Sequence, residues 1–152
     1  MTILIQIFSL CAVILTGIVA GSMFGAGLSL YSSRKLPEAA WTRRFQLADS
    51  LFAKVMPPLS QAQLLCLVVS LFLTHGTSQV VWGVATVLSV AVLAISIGLE
   101  VPLNKEIQLW TPGAAPAEWM TIRDRWLWNH LYRAIAAVSA FVCVAVATSR
   151  YQ

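Results

Sequence analysis

The sequence is short of charged residues. Ten Lys and Arg and six Asp and Glu make up only 11% of its 152 residues, whereas a soluble domain carries about 25%. This shortage argues against a water-soluble globule, and it argues equally against disorder, which needs many charges and few apolar residues. Hydrophobic residues make up 59% of the chain, and the mean hydropathy is +0.78. The composition indicates a small membrane protein that crosses the bilayer several times.

The sequence also has no recognisable metal, redox or nucleotide motif. The cysteines Cys11, Cys66 and Cys143 lie singly in apolar runs without CxxC spacing, where cysteine acts as a small hydrophobe. There is no HExxH, phosphate-binding loop or dinucleotide fingerprint, and we expect no metal site. The net charge of +4 does not indicate nucleic acid, because the basic residues lie between apolar runs rather than together on one solvated face.

Four apolar runs approach the ~20 residues that a helix needs to cross a bilayer. They predict an all-α fold, a bundle of four transmembrane helices forming a single integral membrane domain over residues 1–152. The runs are residues 3–31, 59–74, 80–99 and 126–148. Because the second run is short, its helix is expected to begin before or within Pro57-Pro58.

Two long connections separate these runs. Residues 32–58 place apolar side chains at helical spacing, which indicates either an interfacial helix or an extension of the second span. Residues 100–125 contain three prolines and one glycine, and they are expected to form a structured, interrupted loop. Trp110 and Trp119 within this loop are typical of membrane-interface anchors.

The basic residues predict the orientation of the chain. Eight of them lie in the two long connections, against only one, at the chain's far end, on the opposite side. They are Arg34, Lys35, Arg43, Arg44, Lys54, Lys105, Arg123 and Arg125, against Arg150. By the positive-inside rule, both long connections face the cytoplasm and both termini lie outside, in the inner membrane if the source is bacterial.

Small residues recur along the first span. Gly17, Gly21 and Gly25 form a doubled GxxxG pattern, which lets another helix approach closely. This pattern predicts packing within the chain, or alternatively a groove for a flat ligand or a contact with a second copy of the chain.

The segment RDRWLWNHLYR, residues 123–133, carries the strongest functional signal. On a helix, Arg123, Trp126, His130 and Arg133 form one stripe at spacings of three and four. Arg133 lies about 10 Å inside the predicted span, where an ionisable group is costly and indicates a functional site. The alternative is that the Arg133 side chain extends along its own stem to the headgroups.

The end of the third span supplies possible partners for this stripe. Glu100 and Asn104 flank Pro102, which is expected to distort the helix. Because both spans meet the same side of the membrane, Glu100 and Asn104 are expected to face His130 and Arg133 in one pocket. A second interpretation makes His130 the axial ligand of a haem.

These residues resemble the anthrone oxygenase-like family of small four-span membrane proteins. The resemblance is carried by Pro102-Leu-Asn104 and by Arg125-Trp126 followed by His130 and Arg133. Weaker support comes from a Phe-Gln-x-Ala-Asp element at residues 45–49 leading to Pro57-Pro58. It covers roughly residues 10–148.

The resemblance implies an oxygenase that converts an anthrone to an anthraquinone with molecular oxygen, without a recognised cofactor. It implies a flat, lipophilic phenolic or anthrone-like substrate within the lipid bilayer. His130 would be the general base. Arg133 or Arg123 would stabilise an enolate oxygen, and Asn104 would orient the carbonyl. The remaining substrate-binding residues would be Trp126, stacked on the ring, with Glu100 and Arg125.

A non-enzymatic protein is the alternative. In that case the chain is a membrane subunit or a lipid- or quinone-binding module, working as a homo-oligomer or within a membrane complex. Its Arg and His side chains would then bind headgroups or a partner instead of performing chemistry.

Overall fold

The computed structural model describes residues 3–149, and 90% of the protein is helical. The prediction of an all-α four-helix bundle is confirmed. The helices are α1 (Ile3–Ser32), α2 (Glu38–Leu73), α3 (Thr77–Ile95), α4 (Val101–Gln108) and α5 (Trp119–Ser149). A 3₁₀ turn at Ser33–Lys35 follows α1, and a π-helical turn at Ser96–Glu100 joins α3 to α4. Arg150, part of the orientation argument, lies outside the described residues.

Four of these segments are long and apolar enough to cross a membrane, so the chain is a multi-pass membrane protein. They are Ile3–Lys35, Glu38–Leu73, Thr77–Gln108 and Trp119–Ser149. Going around the bundle, α1 packs against α2, α2 against α3, α3 against α5 and α5 against α1. Each helix therefore runs antiparallel to its neighbours. The connections 33–37 and 109–118 lie at one end, which we call the basic end.

The helices extend further than the apolar runs predicted. The second helix begins at Glu38 and passes through Pro57 and Pro58, so residues 32–58 are mainly an extension of the span rather than a separate interfacial helix. The expectation that it starts before the prolines is confirmed. The helix of the fourth span, α5, begins at Trp119 instead of residue 126.

The prediction that residues 100–125 form a loop was wrong for most of this segment. Residues 101–108 continue the third helix as α4, and residues 119–125 belong to α5. Pro102 lacks the N–H that would bond to the Gly98 carbonyl, and the π-helical turn that ends at Glu100 absorbs this lost bond. The distortion expected at Pro102 is therefore present, but the chain stays helical.

Three apolar clusters fill the bundle from one end to the other. The cluster far from the basic end contains Trp82 and Leu67, and the three free cysteines pack in it or against it. The middle cluster consists of small and medium side chains such as Val19 and Ala137, which let the helices approach closely. The cluster at the basic end is aromatic, and it includes Trp41. The site described next lies between the middle and the basic-end clusters.

Candidate functional site

A buried group of charged side chains lies where the π-helical turn meets α5. The Glu100 carboxylate is 1% exposed, and its Oε2 lies 2.6 Å from Nη1 of Arg133. Arg133 Nη1 also donates to Ser96 Oγ at 3.0 Å. The prediction that Glu100 faces Arg133 matches this geometry, and Ser96 is a partner that the sequence argument missed. The π-helical turn carries both Ser96 and Glu100, so it supplies both partners of the guanidinium.

His130 lies beside this ion pair and is 2% exposed. Arg133 Nη2 lies 3.0 Å from its Nδ1, and its Nε2 lies 2.9 Å from the backbone oxygen of Met23 in α1. Since a guanidinium can only donate, these contacts fit a neutral imidazole that accepts at Nδ1 and donates from Nε2. Glu100 Oε1 lies 3.5 Å from the same Nδ1. Nδ1 therefore faces both a donor and an acceptor.

Trp126 holds the imidazole from the other side. The two rings are stacked with centroids 4.7 Å apart and an interplanar angle of 14°. Phe45 and Trp126 make a T-shaped contact, with ring centroids 5.3 Å apart. Trp126 is buried behind His130, so it supports the imidazole and does not line the cavity described below. Its sequence-based role of stacking on a substrate ring does not fit this position.

Both ends of the Asn104 side-chain amide form hydrogen bonds with other side chains of the protein. Its amide oxygen accepts a 2.6 Å hydrogen bond from Trp126 Nε1, and its amide nitrogen donates to Asp49 Oδ1 at 2.7 Å. Asn104 thus fixes the indole that supports His130 and does not contact His130 itself. The predicted role of orienting a substrate carbonyl does not fit an amide with both ends occupied.

The Phe45–Asp49 element of α2 anchors α4 through its polar side chains. Gln46 Nε2 donates to the backbone oxygens of Ile107 at 3.1 Å and Trp110 at 2.9 Å. Asp49 Oδ2 accepts from Gln108 Nε2 at 2.7 Å. The element quoted for the resemblance therefore holds the helix that carries Asn104. Sequence spacing alone did not reveal this, because the two elements are about 60 residues apart.

The two tryptophans of the predicted loop belong to the aromatic cluster at the basic end or pack against it. Trp110 is buried in the basic-end cluster, and Trp119 packs against it. Trp119 lies 6.1 Å from Trp41, ring centroid to centroid. The anchor interpretation was wrong for Trp110, because its ring is covered by protein.

An apolar cavity of about 370 Å³ lies between α1 and α5, and His130 forms part of its wall. The side chains around its opening are largely exposed and apolar: Phe24, Leu28, Trp128 and Leu131. Two charged residues, Arg34 and Asp124, line it toward the basic end. The pocket was expected between the third and fourth spans, but the ion pair occupies that space. The cavity lies on the α1 side of the imidazole instead.

Gly27 makes the close approach of α1 to His130 possible. A Cβ added there would lie 3.2 Å from Cδ2 and 3.4 Å from Nε2 of the imidazole, tighter than side chains normally pack. Gly27 is two residues beyond the GxxxG pattern. Its place in a glycine-rich stretch was the only sequence signal for this contact.

The glycines of the GxxxG pattern face different surroundings. A Cβ on Gly17 would meet the Phe141 ring at 3.2 Å, so this glycine packs against α5. A Cβ added to Gly21 or Gly25 would meet no atom within 4 Å from elsewhere in residues 3–149. They lie on the outer surface of the bundle.

The two remaining arginines of the predicted site do not join His130. Arg123 is buried and donates from Nε to Asp124 Oδ1 at 2.9 Å and from Nη1 to the backbone oxygen of Arg34 at 3.1 Å. Its guanidinium also lies over the Trp119 ring. Arg123 therefore ties the end of α1 to the start of α5. Arg125 is exposed on α5.

The donor set at His130 is poorly suited to a metal or a haem. Within residues 3–149, no group of three or more His, Cys, Asp or Glu side chains could hold a metal ion. Both imidazole nitrogens have protein partners, at Met23 and at Arg133. A haem iron would have to displace one of them.

The fold and the site define a four-span membrane protein with a buried imidazole and ion pair beside an apolar cavity. The model of the anthrone oxygenase family matches residues 6–143. Because this match covers most of the chain, the protein belongs to that family, which suggests an oxygenase-type role. No curated protein and no solved structure matches the chain.

Proposed function

We propose that the chain is a membrane-embedded oxygenase for a flat, lipophilic, phenolic or anthrone-like substrate that binds in the α1–α5 cavity. One observation carries this proposal: a buried imidazole, backed by an ion pair, forms part of the wall of an apolar cavity. An anthrone offers a matching chemistry. Its methylene group becomes acidic because the carbonyl across the ring withdraws electrons.

His130 is the general base in this proposal. In the structure Nδ1 faces Arg133 Nη2 at 3.0 Å, so the imidazole proton must first move to Nδ1 and Arg133 Nη2 must give up this contact. Nδ1 then faces Glu100 Oε1, 3.5 Å away, and Nε2 can accept a proton. The imidazolium that forms is then stabilised by the Glu100 carboxylate, which Arg133 holds in place. A substrate would replace the contact between Nε2 and the Met23 oxygen. Glu100, Arg133, Trp126 and Asn104 are therefore positioning residues, and His130 is the one member of this group that touches the substrate.

The reaction balances without a further oxidant or reductant. Nε2 takes one methylene proton, and the resulting carbanion adds to molecular oxygen to form a peroxide at that carbon. The imidazolium returns its proton to the peroxide. Loss of the second C–H proton then breaks the O–O bond and leaves a carbonyl and one water. The proposed reaction is therefore anthrone plus oxygen giving anthraquinone plus water, with no step assigned to a cofactor.

We further propose that the substrate enters sideways from the bilayer. The opening is bordered by exposed Phe24, Leu28, Trp128 and Leu131, and a lipophilic ring system concentrates in the hydrocarbon phase. The excess of Lys and Arg in the two long connections supports a cytoplasmic basic end and termini outside. Under this orientation, the cavity opens in the cytoplasmic half of the membrane.

The experiment that tests the proposal measures product, not binding. The purified full chain in detergent is given an anthrone under ¹⁸O₂, and the anthraquinone is analysed by mass spectrometry. The expected result is conversion faster than autoxidation in empty micelles, with one ¹⁸O atom in each product molecule. A rate equal to that of empty micelles with several anthrones would contradict the proposal.

The sideways opening also favours a second candidate, a module that binds quinones or lipids without turnover. Such a module would bind anthraquinone as readily as anthrone and consume no oxygen. The same ¹⁸O₂ experiment separates the two, because only the oxygenase produces labelled quinone faster than empty micelles do.

A further inference from the structure

We infer that Arg34 is a specificity-determining residue that binds an anionic group, a carboxylate or phenolate, at the end of the substrate away from His130. This inference rests on the proposed function for the ring system that occupies the cavity. It adds a polar recognition site that the oxygenase chemistry itself does not require. The evidence is the charge and spacing of the two ends of the cavity.

The cavity is apolar except at its ends. His130 lines its inner part, one helical turn from Ala134, and Arg34 and Asp124 line it toward the basic end. Asp124 and His130 are six positions apart on α5, about 9 Å along the helix at 1.5 Å per residue. The reacting carbon of an anthrone is in its central ring, and an outer-ring substituent lies to one side of that carbon along the long axis of the ring system. A ring that lies along the cavity with its reacting carbon at His130 therefore directs that substituent toward these charges, and the long Arg34 side chain can extend to meet it.

The charge at this end is positive. Arg123 donates to Asp124 from Nε and lies 2.9 Å from it through Nη2, so one guanidinium already compensates the carboxylate. The Arg34 guanidinium lies over the Tyr31 ring, 5.0 Å from its centroid. Among residues 3–149 it forms no ion pair with a carboxylate. Arg34 is therefore the cation still available to a ligand, and an anion is the group that complements it.

The local structure also holds the Arg34 backbone in place. Its carbonyl accepts the hydrogen bond from buried Arg123, and it belongs to the 3₁₀ turn that ends the first span. The side chain can therefore change without removing this anchor. Lys35, its neighbour, does not line the cavity and is a matched control for the loss of one positive charge.

The test compares two ligands that differ only in charge. Binding of anthraquinone-2-carboxylate and of its methyl ester is measured by equilibrium dialysis with the purified full chain, after subtracting uptake by empty micelles. We expect Arg34→Gln to weaken binding of the acid about tenfold, equivalent to about 1.4 kcal/mol, since the variant loses a charge-assisted hydrogen bond. Binding of the ester should stay within about twofold, and Lys35→Gln should change neither ligand by more than that.

Three outcomes would overturn the inference, and they separate it from the proposed function. If Arg34→Gln and the wild type bind the acid with equal affinity, Arg34 does not bind the anionic group. The proposed role of His130 in turnover is not affected by that result. If the wild type binds neither ligand, the cavity is not the ring site and the proposed function fails with it. If phosphatidylglycerol displaces the acid but phosphatidylcholine does not, Arg34 binds a lipid phosphate instead.

Discussion

Glu100 and Arg133 form an ion pair with 2.6 Å between Oε2 and Nη1, and the carboxylate is almost fully enclosed by protein. Two opposite charges buried this deeply stabilise each other only while both are present. The pair lies directly behind His130. It therefore couples the stability of the bundle to the position of the imidazole.

Removing one member of this pair should destabilise the protein strongly. Arg133→Met leaves the Glu100 carboxylate buried without its partner, which costs about 3–5 kcal/mol in comparable sites. We expect a large drop in the thermal unfolding midpoint in detergent. The double variant Glu100→Gln with Arg133→Met should recover part of the loss, because no isolated charge remains. A double variant as unstable as the single one would contradict this account.

Gly27 should be sensitive to the smallest possible substitution. Gly27→Ala places a Cβ 3.2 Å from the His130 ring, so the imidazole or α1 must shift. The shift needed is a few tenths of an ångström. Since a misplacement of about 1 Å can lower a rate about a hundredfold, we expect a smaller loss of roughly three- to tenfold in turnover. Gly21→Ala is the matched control on the same helix, because nothing lies within 4 Å of it. Equal activity in the two variants would argue against the contact.

Asn104 should act through Trp126 and not on the substrate. Asn104→Leu leaves the Trp126 N–H and the Asp49 carboxylate without this partner. The buried Trp126 N–H is then unsatisfied, which costs about 1–3 kcal/mol, whereas Asp49 is half-buried and keeps its hydrogen bond from Gln108. We expect a lower unfolding midpoint and a fall in kcat, with KM nearly unchanged.

Gln108→Ala is the control for the Asn104 prediction. It removes another bond to Asp49 but none to Trp126, so kcat should stay close to that of the wild type. A rise in KM without loss of kcat in Asn104→Leu would indicate a direct substrate contact instead.

The orientation of the chain can be tested separately from its chemistry. In a background without the three native cysteines, single cysteines are placed by Ala40→Cys, Ala114→Cys and Thr77→Cys. A membrane-impermeant thiol reagent applied to intact cells should label the cysteine at 77 alone, because the positive-inside rule puts 40 and 114 in the cytoplasm. Labelling of the cysteines at 40 and 114 but not of the one at 77 would show that the chain has the opposite orientation.

The span count was predictable from the sequence because apolar runs are local information. The meeting of Glu100 with His130 and Arg133 was also predictable, since antiparallel neighbouring spans bring their ends together. The helix ends were harder to predict. Helix α2 runs through Pro57 and Pro58, and the π-helical turn before Pro102 keeps the chain helical, so prolines did not mark the boundaries.

The cavity was not predictable from the same reasoning. Its wall depends on which helix covers the second face of α5, and that helix is α1. The decisive contact, from Gly27 to His130, joins residues about 100 positions apart with no shared motif. Which distant helices pack together is decided by the whole bundle. A single sequence contains no local motif that identifies such a pair.

The central claim is that His130 takes a proton from the substrate, and a comparison of His130→Gln with the wild type tests it most directly. Glutamine can keep a hydrogen bond to the Met23 oxygen but cannot act as a base at neutral pH. We predict that the purified variant folds, binds anthraquinone-2-carboxylate with nearly wild-type affinity, and oxidises an anthrone at least a hundredfold more slowly, the lower end of the ~10²–10⁴-fold range for general-base catalysis. Full oxygen consumption by His130→Gln would contradict the account.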